Sequence, residues 1–157
     1  MQMDWIIVDG YNLIHQDADL TALMGRDIGL ARQRLTRLLE SAIPRLARRV
    51  TVVFDGRGRT GGPSSLESTS VEVFFSSSSS SADGLIERIV SDSDRPERIM
   101  VVTSDLVEAN AVRGSGAECI SCPLFLDLLR AQRGGAGRQS IRPRRKSLGT
   151  LGEHFPD

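Results

Sequence analysis

Four aspartates stand where apolar runs end. Asp9 follows Trp5-Ile-Ile-Val, Asp55 follows Val50-Thr-Val-Val-Phe, and Asp105 follows Val101-Val-Thr103-Ser104. Asp83 comes after Val71-Glu-Val-Phe-Phe75, at the start of the next helical segment. If these runs are parallel strands, their carboxyl ends share one edge, where open α/β sheets place their ligands, and the carboxylates converge. Crowded carboxylates repel and raise one another's pKa unless something positive lies between them. Mg²⁺ or Mn²⁺ suits an all-oxygen set, keeping several waters and taking the rest from one or two carboxylates and a substrate phosphate. The chemistry implied is metal-assisted phosphodiester hydrolysis with water as nucleophile.

Other residues near the same points can serve that chemistry. In Asp9-Gly10-Tyr11-Asn12 the glycine permits a tight turn, and the Asn12 amide can swing back beside Asp9 to orient a water or a phosphate oxygen. Glu87 lies one helical turn beyond Asp83. Ser104 precedes Asp105 and, with Asp55, belongs to the supporting set. Arg57 and Arg59 follow Asp55 and can grip phosphate bidentately. Each acid also has a plain local reading: Asp9-Gly10 and Asp55-Gly56 as turns, Asp105 as a helix N-cap, Asp83 as the acidic member of a capping box begun by Ser80.

The elements that must position these residues alternate between short β-branched runs and segments of helical period, the pattern of an α/β domain with a mainly parallel sheet. Strands are expected at residues 5–9, 50–54, 71–75, 98–103 and 117–121. Leu35, Leu38, Leu39, Ala42 and Leu46 recur at helical spacing, with Pro44 expected to kink or end that helix. Further helices are expected at 82–90, at 106–113 before Gly114, and from Pro123 to about residue 130. Residues 56–70 read as a long exposed loop, and the six serines 76–81 as a mobile connector. Residues 134–157, rich in Gly, Arg, Pro and Ser, read as an uncompacted tail.

The 157 residues suit one domain, and 39% hydrophobic with 25% charged residues can supply a core. Net charge is zero, but residues 1–129 carry 13 Arg against 18 acids, and residues 130–157 carry seven basic residues against two acids. The tail is therefore basic; without interleaved aromatics it suits phosphate backbone rather than base stacking. Of the 20 basic residues 19 are Arg and one is Lys146, which removes Schiff-base and Walker-type mechanisms. Gly56-Arg-Gly-Arg-Thr-Gly61 spells a dinucleotide loop but leads into Gly62-Pro63-Ser64, not a helix, so no nucleotide cofactor is expected. Tyr11 stands where an aspartyl phosphatase needs its second Asp. Cys119-Ile-Ser-Cys122 reads as two small core residues rather than a redox pair, and His15 as a turn or cap residue. There is no signal-peptide pattern and no apolar run near about 18 residues; a cytoplasmic protein without a membrane partner is expected.

At Ile6-Ile-Val-Asp-Gly-Tyr-Asn-Leu-Ile-His15, Val52-Val-Phe-Asp-Gly56, Val71-Glu-Val-Phe-Phe75, Ala82-Asp83 with Ile86-Glu-Arg88, and Val101-Val-Thr-Ser-Asp105, the chain resembles the YacP-like NYN domains, relatives of PIN-type and flap nucleases. The resemblance spans residues 5 to about 130. It implies a three-layer α/β/α, PIN-like (Rossmann-like) fold with a mainly parallel five-stranded sheet, and metal-dependent endoribonuclease activity, in some members on ribosome-bound mRNA. On it, Asp9, Asp83 and Asp105 match the acidic metal-binding positions, with Asn12 beside them. The six serines depart from the mixed polar segment usual before Asp83.

The expectation is thus a nuclease domain at residues 1–133 that binds Mg²⁺ or Mn²⁺ and acts on RNA, with mRNA and the ribosome as partners. The basic tail would hold RNA through Arg142, Arg144, Arg145 and Lys146, with Arg57 and Arg59 on the loop. The alternative is a PIN-like module that binds RNA or ribosome and cuts little.

Overall fold

The structure, a computed structural model, describes residues 2–56 and 70–134. The first apolar run becomes β1 (Met3–Asp9), with Ile6, Ile7 and Val8 buried. The others become β2 (Ala47–Phe54), β3 (Val71–Phe75), β4 (Ile99–Val102) and β5 (Glu118–Ile120). All pair in parallel in the order β3-β2-β1-β4-β5. Register is level: Val8 lies beside Val52 on one side and Val102 on the other. The carboxyl ends of β1, β2 and β4 therefore share an edge, and the strand order reverses between β1 and β4, the switch point where such sheets bind ligands.

Alternation along β1 assigns the two faces. Ile6 and Val8 pack with Leu13, Leu35, Val52, Phe54 and Phe125, whereas Ile7 packs with Val53, Ile86, Val90, Val101 and Val112. The first face is covered by α1 (Gly10–His15), α2 (Ala18–Arg26), α3 (Ile28–Glu40) and α6 (Cys122–Gly134), the second by α4 (Ala82–Asp92) and α5 (Leu106–Gly114). This is the expected three-layer α/β/α arrangement. Among the described residues, no helix is long and apolar enough to cross a membrane.

Several boundaries differ from expectation. α1 and α2 were not anticipated: α1 has six residues, too few to show a period, and both begin at aspartate caps, Asp9 and Asp17. α3 ends at Glu40 rather than near Pro44. Ala42 and Leu46 keep helical spacing but pack from a turn that passes through a cis Ile43–Pro44 bond. β2 starts at Ala47, and α6 starts at Cys122 and reaches Gly134. The serine run, expected as a mobile connector, is a hydrogen-bonded turn. Buried Ser76 Oγ accepts from Gly56 N at 2.8 Å and donates to Ser80 O at 2.9 Å. Hydroxyl partners here do the ordering that apolar area does elsewhere. Ser81, not Ser80, caps α4 by accepting from Gly84 N at 3.2 Å, so Asp83 is not the capping-box acid. The expectations for Arg57, Arg59, Arg142, Arg144, Arg145 and Lys146 lie outside the described residues.

Gly10 illustrates how tightly the site rests on the core. A Cβ there would lie 2.3 Å from Phe54 Cε1, and Phe54 is fully buried between Tyr11 and Phe75, at 5.0 and 5.5 Å between ring centroids. Gly10→Ala should gain under about 1 kcal/mol of helix propensity against an overpacking cost of about 1–3 kcal/mol. A thermal midpoint lowered by roughly 3–6 °C is expected; an unchanged midpoint would show that the Phe54 ring can turn aside.

Candidate active site

Asp9 is the last residue of β1 and the N-cap of α1, its Oδ1 accepting from Asn12 N at 3.5 Å. By the alternation of β1 it emerges on the Ile7 side, toward α4 and α5. Asn12 turns its amide oxygen the other way. Its Oδ1 accepts from Ser104 N at 2.7 Å and from Cys122 Sγ at 3.2 Å, with Thr103 Oγ1 3.4 Å away. Asn12 thus ties the β1–α1 turn to the end of β4 and the start of α6, and only its amide nitrogen is left to meet a ligand. Ser104 completes the tie, accepting from Cys122 N through Oγ at 3.0 Å.

The side chain that sequence reasoning missed is Glu108, 0% exposed in the first turn of α5. Thr103 Oγ1 donates to its Oε1 at 2.9 Å and accepts from Asp105 N at 3.1 Å. Its Oε2 has no hydrogen-bond partner as an ionised oxygen, yet the carboxyl is within hydrogen-bonding reach of Asp9. Two carboxylates only accept, so the contact requires a proton or a cation. Burial, then the Asp9 contact and charge, push Glu108 up to about 9. Burial also raises Asp9, with the charges of Asp83 and Asp105 adding to it, while the Glu108 contact and Asn12 N–H act the other way. The one available signal was the Asp105-x-x-Glu108 spacing, which reads as an ordinary capping box.

Asp105 and Asp83 flank this pair. Asp105 is exposed and caps α5 with one oxygen, Oδ1 accepting from Val107 N at 2.9 Å and Glu108 N at 3.1 Å. Half-buried Asp83 accepts from Gly84 N at 3.0 Å. Asp55 is half-buried just after β2, and Glu87 half-buried one turn along α4. Among the described residues, no three His, Cys, Asp or Glu side chains stand close enough to cage an ion directly. The donor set nonetheless fits a hydrated hard cation, which needs only one or two carboxylates: Asp9 and Glu108 meet with Glu108 Oε2 left without a hydrogen-bond donor, and no cationic side chain is among the main influences on either.

Across the sheet edge lies a different surface. Arg32 Nη1 donates to Tyr11 Oη at 3.0 Å, and its guanidinium sits 5.5 Å above the Phe75 ring. Its buried Nε has no partner; helical period sets Arg32 on the polar side of its helix with Arg34, Arg37 and Arg45, whereas the structure packs it against Tyr11 and Phe75. The two cysteines take opposite sides of the sheet, Cys119 packing with the α4/α5 core and Cys122 with the other. They are not a redox pair, and burial pushes the Cys122 thiol up to about 12.

The family model of the YacP-like NYN domain matches residues 6–151. The uncharacterized protein YacP of Bacillus subtilis (strain 168) is 33% identical over 116 residues, covering 73% of this chain and 68% of that protein. The crystal structure of Rae1 (YacP) from Bacillus subtilis superposes with a TM-score of 0.75 at 28% identity, covering 97% of this chain and 90% of that one. That of a point mutant of the same protein gives 0.68 at 28% identity, covering 97% and 89%.

Proposed function

Since the chain belongs to the YacP-like NYN domain family and carries a PIN-like nuclease fold, we propose that it is a divalent-metal-dependent endoribonuclease. The observation that carries this reading is the Asp9–Glu108 contact at the β1/β4 switch point, with Asp83 and Asp105 near enough for their charge to act on Asp9 and with Glu108 Oε2 left without a hydrogen-bond donor. Asp9, Asp83 and Asp105 would hold Mg²⁺ or Mn²⁺, in part through the waters the ion keeps, with Glu108 in contact with Asp9. Such an ion activates water and stabilises charge on the scissile phosphate. Asn12, Thr103 and Ser104 hold the two turns in register. Asp55 and Glu87 support the edge from β2 and α4.

The test incubates the purified chain with a circular single-stranded RNA and Mn²⁺, with and without EDTA. Internal cutting that EDTA abolishes is the expected result. Binding without cutting would instead establish the alternative, a module that holds RNA or ribosome. Ribosome-bound mRNA is the substrate that the family resemblance favours, in the cytoplasm. Co-sedimentation with translating ribosomes, together with shortened mRNA in the same fractions, is expected; absence from those fractions would remove the ribosome from the proposal.

A further inference from the structure

The described surface has a second group of cations, away from the acidic edge. α2, α3 and α6 meet around an open cleft of about 520 Å³ lined by Arg34, Arg37 and Arg130 together with Asp17, Asp19 and Leu20. Arg130 is fixed in place: its Nη2 donates to Asp17 Oδ1 at 2.6 Å, and Asp17 Oδ2 accepts from Leu20 N at 3.0 Å. Asp17 is thereby committed through both oxygens. Arg34 and Arg37, three positions apart and so neighbours on α3, are exposed and form no ion pair among the described residues. Two guanidinium groups are therefore free beside a third that is held, in a part of the chain whose charge balance is otherwise acidic, 13 Arg against 18 acids over residues 1–129.

We infer that this cleft is a phosphate subsite that grips the RNA strand away from the bond to be cut, with Arg34 and Arg37 as the clamp and Arg130 as its fixed wall. Guanidinium forks match phosphate bidentately, and five of the seven side chains that line the cleft are charged, with Leu20 and Leu38 between them. One helix, α6, links the two places. Cys122, the first residue of α6, is bonded to Ser104 and Asn12 at the acidic edge, and Arg130 follows eight positions later, about 12 Å along the helix. The inference rests on the nuclease reading for its ligand, the RNA backbone; a free phosphorylated small molecule has the same chemistry and is the competing source.

The experiment compares the full chain with Arg34→Ala/Arg37→Ala by fluorescence anisotropy of a labelled single-stranded RNA in EDTA, over a salt series. RNA affinity lowered about tenfold is expected, with the slope of log affinity against log salt reduced by about one. Both side chains are exposed, so an unchanged thermal midpoint is the folding control. Unchanged affinity and slope would overturn the subsite. If, in addition, inorganic phosphate raised the midpoint of the parent chain but not of the variant, the cleft would serve a free phosphate, and the RNA assignment would be overturned. Failure here is separable from failure of the nuclease reading. A chain that binds RNA through these arginines but never cuts keeps the subsite and loses the nuclease. A chain that cuts, with affinity and slope unmoved in the variant, keeps the nuclease and loses the subsite.

Discussion

Asp9→Asn should lower the rate of RNA cleavage by about three orders of magnitude while leaving RNA binding in place. The substitution keeps an oxygen to accept from Asn12 N, so the start of α1 survives. It removes the charge at the point where Glu108, Asp83 and Asp105 all act on one carboxyl, and a neutral amide cannot hold a hard cation as a carboxylate does. The new amide N–H can donate to Glu108 Oε2, so the variant should fold at least as stably as the parent. Single-turnover cutting at saturating Mn²⁺ measures the rate, and anisotropy in chelator measures binding. Residual cutting within about tenfold of the parent would move the chemistry away from Asp9. A loss of binding as large as the loss of cutting would make Asp9 a binding residue.

The second large effect is on stability and follows from Glu108. Its folded pKa is raised to about 9 from the ordinary 4.5, so the folded state keeps a proton that the unfolded chain releases. No penalty exists below the unfolded pKa; it grows as pH rises between the two values and is complete above the folded one. The raised pKa of Asp9 adds in the same direction. Between pH 6 and pH 8 in EDTA, the parent should lose about 2.6 kcal/mol relative to Glu108→Gln, read as roughly 5–10 °C in thermal midpoint. Gln is a fair comparison because its oxygen can still accept from Thr103 Oγ1 and its amide can donate to Asp9. Parallel midpoint curves for the two proteins over that range would show that Glu108 is ionised in the folded state.

Much of the framework is legible along the chain because its causes are local. Each apolar run that became a strand is bounded by turn residues, and each aspartate at a strand end is where the register of the sheet leaves it. Asp105 caps α5 with one oxygen, as its local reading has it, and its charge also acts on Asp9. Local pattern misled where packing or hydroxyl partners replaced it. Ala42 and Leu46 match a helical period from within a turn, and the serines gained order from Gly56 and from one another.

By itself the sequence determined the α/β class, the aspartates at the strand ends and the absence of lysine from the core, since hydrophobic period, capping and composition act over a few residues. Only the tertiary structure decided that β1 and β4 are neighbours, and with that order came the burial of Glu108 against Asp9, the binding of Asn12 to Ser104 and the separation of Cys119 from Cys122 by the sheet. It also brought Arg130 to Asp17, 113 positions away, and so built the cleft beside Arg34 and Arg37. The physical reason is that desolvation and charge crowding depend on which distant segments share a volume. A carboxyl in the first turn of a helix has the same local sequence whether it ends in water or against another acid.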